Sequence, residues 1–207
     1  MNKNIGVLVS GSGTNLQAIM DKIDENYINA RIAVVISNRK DAYALDRAKA
    51  ANIPTAYIRR SDYLSDEARD YAIMHILEEY NVGLVVLAGY LGILSKPFVE
   101  AYRLRIINVH PSLIPAFCGK GYYGHRVHQA ALDYGVKVSG ATVHFVDEGI
   151  DAGPIILQKA VEVKDDDTVE TLAARILTVE HELLPEAVKL FIEGRLLVNG
   201  RHVQRIV

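Results

Sequence analysis

The sequence predicts an α/β fold: an open, mostly parallel sheet with helices on both faces. Three observations carry this. Short runs rich in β-branched apolar residues alternate with helical patterns through the first half of the chain. The run at 84–88 is apolar throughout, as in a strand buried on both faces. Later, two longer runs at 138–146 and 154–163 leave no room for a helix between them, so these strands pair antiparallel. The expected arrangement is a single Rossmann-like open sheet closed by antiparallel late strands.

The elements follow in order. Residues 5–9 form a strand, and residues 15–25 a helix with Leu16, Ile19 and Ile23 on one face. A strand at 32–36 leads to an Ala-rich helix at 43–51, which Asn52-Ile53-Pro54 breaks before a short strand at 55–58. Ser65 precedes a long helix marked by Ala68, Ala72, Ile76 and Leu77. Strands at 84–88 and 104–109 come next. Asp167 and Glu170 have the spacing of a capping box, so the acidic run 165–167 starts a helix that reaches about residue 190. Glu193-Gly194 ends that helix, and residues 196–207 read as a terminal strand pair. No repeat or interdomain linker is evident, so one domain is expected over 1–207.

Composition excludes several classes. Twenty-three basic residues face 25 acidic ones, which gives no broad basic face for nucleic acid. The single Cys118 rules out an internal disulfide and fits a reducing compartment. No apolar stretch approaches the roughly 18 residues of a membrane span, and the N-terminus runs straight into a strand. A soluble, cytoplasmic protein is expected. The histidines show no metal-ligand spacing, so no metal is expected.

Three segments carry chemistry. In Asn108-Val109-His110-Pro111, strand alternation puts Asn108 and His110 on one side, and Pro111 turns the chain out of the sheet. An amide and an imidazole thus project from the carboxyl end of a strand, where open α/β sheets bind ligands. Two donors aimed at one point suit an oxyanion formed when a carbonyl is attacked. The second segment, Gly11-Ser12-Gly13-Thr14-Asn15, joins the first strand to the first helix. There glycines permit close approach and the helix start offers free N–H groups to a phosphate. Leu16 stands where a dinucleotide fingerprint needs its third glycine, and Ser37-Asn38-Arg39 supplies no ribose-binding carboxylate, so a single phosphate fits better than a dinucleotide. The third, Asp147 to Pro154, joins the late strands; Asp147 and Glu148 are expected at the surface and Asp151 pointing inward, where it would favour a His110 imidazolium.

These residues, together with Ser10 to Gln17, Leu87-Ala88-Gly89-Tyr90, Asn108 to Leu113 and Asp151 to Leu157 in that order, resemble the folate-dependent phosphoribosylglycinamide formyltransferases. The resemblance runs from the first strand to the helix containing Glu180-His181, nearly the whole chain. It implies direct transfer of a formyl group from 10-formyltetrahydrofolate to the amine of glycinamide ribonucleotide, through a tetrahedral intermediate. It further implies that Asn108 and His110 stabilise the oxyanion and that Asp151 orients His110 and assists proton transfer. Gly13, Thr14 and Asn15 would hold the ribonucleotide phosphate and Glu180 its ribose; Leu91, Gly92, Ile93 and Leu94, with Asn108, would line the folate pocket. On this basis a phosphate-binding half spans about 1–100, a folate and catalytic half about 84–190, and a short strand tail ends the chain.

Two stretches depart from the family pattern. Residues 117–125 differ from a shorter family segment, which makes His125 and His128 further substrate-side candidates. Asp66 stands where relatives carry an arginine for the folate glutamate tail, with Arg60 and Arg69 close in sequence. Alternatives are a formyltetrahydrofolate hydrolase, expected to carry an added N-terminal domain, and a noncatalytic mononucleotide- or folate-binding module. A tRNA-directed formyltransferase would need an added C-terminal domain and a basic surface. Monomer and dimer both remain open.

Overall fold

The computed structural model describes residues 2–206, so the last residue of the expected terminal strand pair, Val207, lies outside the described residues. The chain runs β1 (Asn4–Val9), α1 (Thr14–Asp24), β2 (Arg31–Ser37), α2 (Tyr43–Ala50), β3 (Thr55–Tyr57), α3 (Asp66–Glu79) and β4 (Leu84–Leu87). It continues through α4 (Lys96–Ala101), β5 (Ile106–His110), α5 (His125–Tyr134), β6 (Val138–Phe145), β7 (Ile155–Glu162), α6 (Val169–Ile192), β8 (Leu196–Asn199) and β9 (His202–Arg205).

β1 to β7 form one seven-stranded sheet in the order β3-β2-β1-β4-β5-β6-β7, and β8 and β9 form a separate hairpin. Pairing is parallel from β3 to β5 and antiparallel from β5 through β6 to β7, as the apolar runs predicted. The chain winds outward to β2 and β3, then returns to place β4 on the other side of β1. That reversal opens a crevice beyond the carboxyl ends of β1 and β4, where ligands bind in such sheets.

Strand periodicity sorts the core into two faces. Ile5, Val7 and Val9 of β1 with Ile107 and Val109 of β5 pack against α1, α2 and the Leu184–Val188 stretch of α6. Leu8, Val85, Leu87 and Ile106 face α3 and α4 through Ile73, Leu77, Phe98 and Val99. Asn108 and His110 share the parity of Ile106 and leave the sheet on the second face. No helix among the described residues is long and apolar enough to cross a membrane.

Four local expectations are corrected. The fifth strand begins at Ile106 rather than 104, because Leu104 takes a positive φ of 54° and closes the turn after α4. α4 and α5 were not foreseen: α4 is short and opens with Pro97 in its first turn, while α5 follows a glycine-rich loop that hides its start. The cap of α6 is Thr168, paired reciprocally with Thr171, one residue beyond the expected Asp167–Glu170 box. Asp167 is drawn off by Arg175, whose Nη2 donates to it at 2.7 Å, and by the Lys164 N–H at 2.8 Å.

Candidate active site

β5 stops at His110, and Pro111 takes the chain out of the ladder. In the antiparallel register Asn108 lies opposite His144 and His110 opposite Thr142. The His144 ring is buried and its Nδ1–H donates to the Phe145 carbonyl at 2.8 Å, which leaves Nε2 as an acceptor. Nδ2 of Asn108 lies 3.2 Å from that Nε2 and donates to it, so the histidine fixes which way the carboxamide points. One N–H of the Asn108 amide is then engaged and the other is free for the cavity. Burial holds the His144 imidazole below its ordinary pKa, against the opposing pull of its bond to Phe145.

His110 is 4 % exposed, and its Nε2 donates to the Phe117 carbonyl at 2.9 Å. Nδ1 is therefore the ring nitrogen that faces a carboxylate, with Asp151 Oδ2 at 3.6 Å. Asp151 is placed by a shaped loop: it takes a positive φ of 53°, and a Cβ at Gly153 would collide with the Phe145 carbonyl. Its Oδ2 also accepts from the Gly119 N–H at 2.9 Å, and its Oδ1 lies 3.8 Å from His144 Nε2. Asn108, His110, Asp151 and His144 thus converge. Glu148 is exposed and Asp147 half-buried, its Oδ1 accepting from the Gly149 N–H at 2.9 Å.

These four residues line a cavity of about 490 Å³ whose opposite wall is Leu91, Gly92, Ile93 and Leu94. Leu91 and Ile93 are more than half exposed, so they face the cavity mouth instead of packing in the core. The segment is held from below. Arg69 Nη2 donates to the Ile93 carbonyl at 2.8 Å, and Asp70 Oδ2 accepts from the Ser95 N–H at 2.5 Å. Arg69 and Asp70 are themselves paired at 2.6 Å and almost fully buried. Arg69 is therefore committed to the fold and does not reach outward; Arg60 is the exposed arginine here, paired with Asp66. Leu91 N–H is fixed at 2.9 Å by Ser10 Oγ.

The glycine loop forms a second cluster beyond this cavity. Gly13 caps α1 in the left-handed region, and a Cβ there would lie 2.6 Å from that of Ala44. No side chain among the described residues caps α1, so its first-turn N–H groups are open to an anion. Thr14 is half-buried, while Asn15 is buried and donates to Glu180 Oε2 at 2.7 Å. Burial raises the Glu180 pKa despite that bond. Gly13, Thr14, Asn15 and Glu180 come together but do not line the first cavity, to which Ser10 and Leu91 connect them. Of the two histidines near the departing loop, His125 is exposed and His128 buried, its Nδ1 lacking a partner among the described residues.

Sequence reasoning missed His144, the Arg69–Asp70 pair, and Arg47, whose Nε donates to the Ser12 carbonyl at 2.9 Å and braces the glycine loop. His144 sits among apolar neighbours, and only the register of β6 against β5 reveals that it meets Asn108.

Residues 3–188 match the family described as formyl transferase. The chain is 43 % identical over 194 residues to the phosphoribosylglycinamide formyltransferase of Haemophilus influenzae, covering 94 % of this chain and 89 % of that one. It is 47 % identical over 199 residues to the trifunctional purine biosynthetic protein adenosine-3 of Bos taurus, covering 95 % of this chain and spanning 19 % of that much longer protein. The crystal structure of glycinamide ribonucleotide transformylase 1 from Symbiobacterium toebii superposes with a TM-score of 0.95 at 50 % identity, covering 100 % of this chain and 95 % of that one.

Proposed function

The chain belongs to the formyl transferase family, and from that premise we propose that it moves the formyl group of 10-formyltetrahydrofolate to the amine of glycinamide ribonucleotide in purine synthesis. The supporting observation is the convergence of Asn108, His110 and Asp151 on one cavity at the switch point of the sheet.

In this reading the amine nitrogen attacks the formyl carbon and the carbonyl oxygen becomes an oxyanion. The free N–H of Asn108 would donate to that oxygen, joined by the Nδ1–H that His110 carries only in its protonated form beside Asp151. Collapse breaks the bond between the formyl carbon and N10 of the folate. The proton lost by the amine is relayed by Asp151 to N10, so charge and atoms balance. Leu91 to Leu94 cover the pterin, whose edge the segment's backbone reads. Thr14 and Asn15 with the α1 N-terminus hold the phosphate, and Glu180 accepts from the ribose. All these groups lie on one chain, so the chemistry requires no second copy. Both substrates are polar and dissolved, which fits a cytoplasmic reaction.

The test is an assay of tetrahydrofolate release with and without glycinamide ribonucleotide. Release that depends on the ribonucleotide is expected. Release with water alone would make the protein a hydrolase, and binding of both ligands without turnover would make it a noncatalytic module. Asn108→Ala should abolish turnover while leaving both ligands bound.

A further inference from the structure

His110, Thr142 and Gln158 stand abreast on β5, β6 and β7, so their side chains share one face of the sheet. Thr142 is fully buried, and its hydroxyl is used to capacity. Oγ1 donates to the Ser112 carbonyl at 2.6 Å and accepts from the Ile114 N–H at 3.1 Å and from Gln158 Nε2 at 2.9 Å. The same Gln158 nitrogen donates to the Ile114 carbonyl at 3.0 Å. Apart from the bond between the two side chains, all of these go to the backbone of the turn that leaves β5 after His110.

The turn carries that restraint back to the imidazole. Ser112 Oγ donates to the Ala116 carbonyl at 2.6 Å, and the Ala116 N–H donates to the Leu113 carbonyl at 3.0 Å. The next carbonyl along the chain, that of Phe117, takes the His110 Nε2–H at 2.9 Å. The turn also lies directly on β6: a Cβ on Gly140 would come within 2.8 Å of the Leu113 side chain and 2.2 Å of the Lys159 carbonyl oxygen. An imidazolium has two N–H groups to satisfy. Asp151 stands beside Nδ1, and the Phe117 carbonyl is the acceptor that serves Nε2.

We propose that Thr142 is a positioning residue for His110. Its hydroxyl, steadied by Gln158, fixes the 112–117 turn so that the Phe117 carbonyl holds a proton on Nε2 and leaves Nδ1 beside Asp151. The inference rests on the reading of His110 as a donor to the oxyanion. A hydroxyl whose donor and acceptor positions are filled by one segment sets the place of that segment, which an apolar side chain of the same shape cannot do.

Thr142→Val keeps the shape and loses the hydroxyl, whereas Thr142→Ser keeps the hydroxyl and loses a methyl group. Both should lower Tm, because one leaves buried turn groups unpaired and the other opens a small void. They should part in turnover. The kcat should fall about 10-fold or more for the Val variant and stay within about twofold for the Ser variant, with both KM values little changed. Gln158 is exposed, so Gln158→Met leaves the core intact; its kcat should fall roughly two- to fivefold. In 15N NMR at a pH where His110 is neutral, the wild-type ring should carry its proton on Nε2, and the Val variant should show a mixture of both tautomers. Equal kcat for the Val and Ser variants would overturn the proposal, as would an unmoved tautomer in the Val variant or wild-type turnover in the Gln158 variant. Wild-type turnover in His110→Ala would instead overturn the reading of the site on which the proposal rests.

Discussion

The Asn108 carboxamide donates to His144 Nε2 at 3.2 Å across the β5–β6 ladder, and the Phe145 carbonyl decides that this nitrogen is an acceptor. The amide proposed as oxyanion donor is therefore aimed by a buried neutral imidazole that does not line up with it in sequence. Without His144 nothing in the ladder would distinguish the two flips of the amide. His144→Ala should lower kcat about 10- to 100-fold, below the full loss of an oxyanion donor, with both KM values little changed. His144→Gln, which can still accept from Nδ2, should recover part of the loss. Steady-state kinetics would check this; equal kcat for wild type and the Ala variant would free Asn108 from its partner.

The Arg69–Asp70 pair should be the stability anchor of the cavity segment at residues 91–95. Both side chains are almost fully buried, and each also grips backbone, at Ile93 and Ser95. Asp70→Ala would leave the buried guanidinium with only the exposed Asp66 carboxylate, 3.1 Å from Nη1, a loss approaching the roughly 3–5 kcal/mol of a broken buried pair. Urea unfolding should show that loss, and amide exchange should quicken at residues 91–95 first. A cost below about 1 kcal/mol would mean that the pair is as dispensable as a surface ion pair.

Much of this arrangement was legible in the sequence. Apolar β-branched runs gave the parallel strands because burial on both faces leaves no polar position, and Pro111 marked the end of β5 because it cannot donate in a ladder. The placing of Asn108 and His110 on one face follows from period-two geometry alone. Asp151 was singled out because its neighbours Ile150 and Gly153-Pro154 shape a loop. Contacts set by register or by tertiary approach were not legible. His144 opposes Asn108 only once β6 is aligned, and Arg69, in sequence merely a neighbour of Asp66, meets the Ile93 carbonyl only once α3 packs beneath residues 91–95. The α6 cap shifted by one residue because Arg175 competes for Asp167, a contact eight positions away.

His128 should give the fold an acid sensitivity. Burial, then the nearby His125 and His110, lower its pKa from 6.5 to about 4. The unfolded chain takes up the proton at the higher value, so the stabilising contribution is present above pH 6.5 and lost as pH falls through about 4. His128→Gln should therefore have a shallower stability profile between those limits. It should not be flat, since burial also lowers His144 and His181. Tm measured at half-unit intervals would test this; parallel profiles for the two proteins would show that His128 protonates in place.

Glu180 carries the opposite sign. Burial raises its pKa above the ordinary 4.5, and the bond from Asn15 only partly offsets that. Its contribution to stability is thus fully present below pH 4.5 and lost as pH rises through the folded value, because ionising the buried carboxyl then opposes folding. Glu180→Gln retains an acceptor for Asn15 Nδ2 and cannot ionise. The two proteins should be equally stable near pH 4, with the variant pulling ahead as pH rises above 4.5; equal stability at pH 8 would show that the carboxylate is accommodated without cost. The reason to keep an acid there lies beside it, where Asn15 Oδ1 is buried without a partner among the described residues. Two adjacent acceptors, one of them able to hold a full charge, match a pair of sugar hydroxyls. The more stable Gln variant should therefore bind glycinamide ribonucleotide more weakly, while tetrahydrofolate affinity is unchanged.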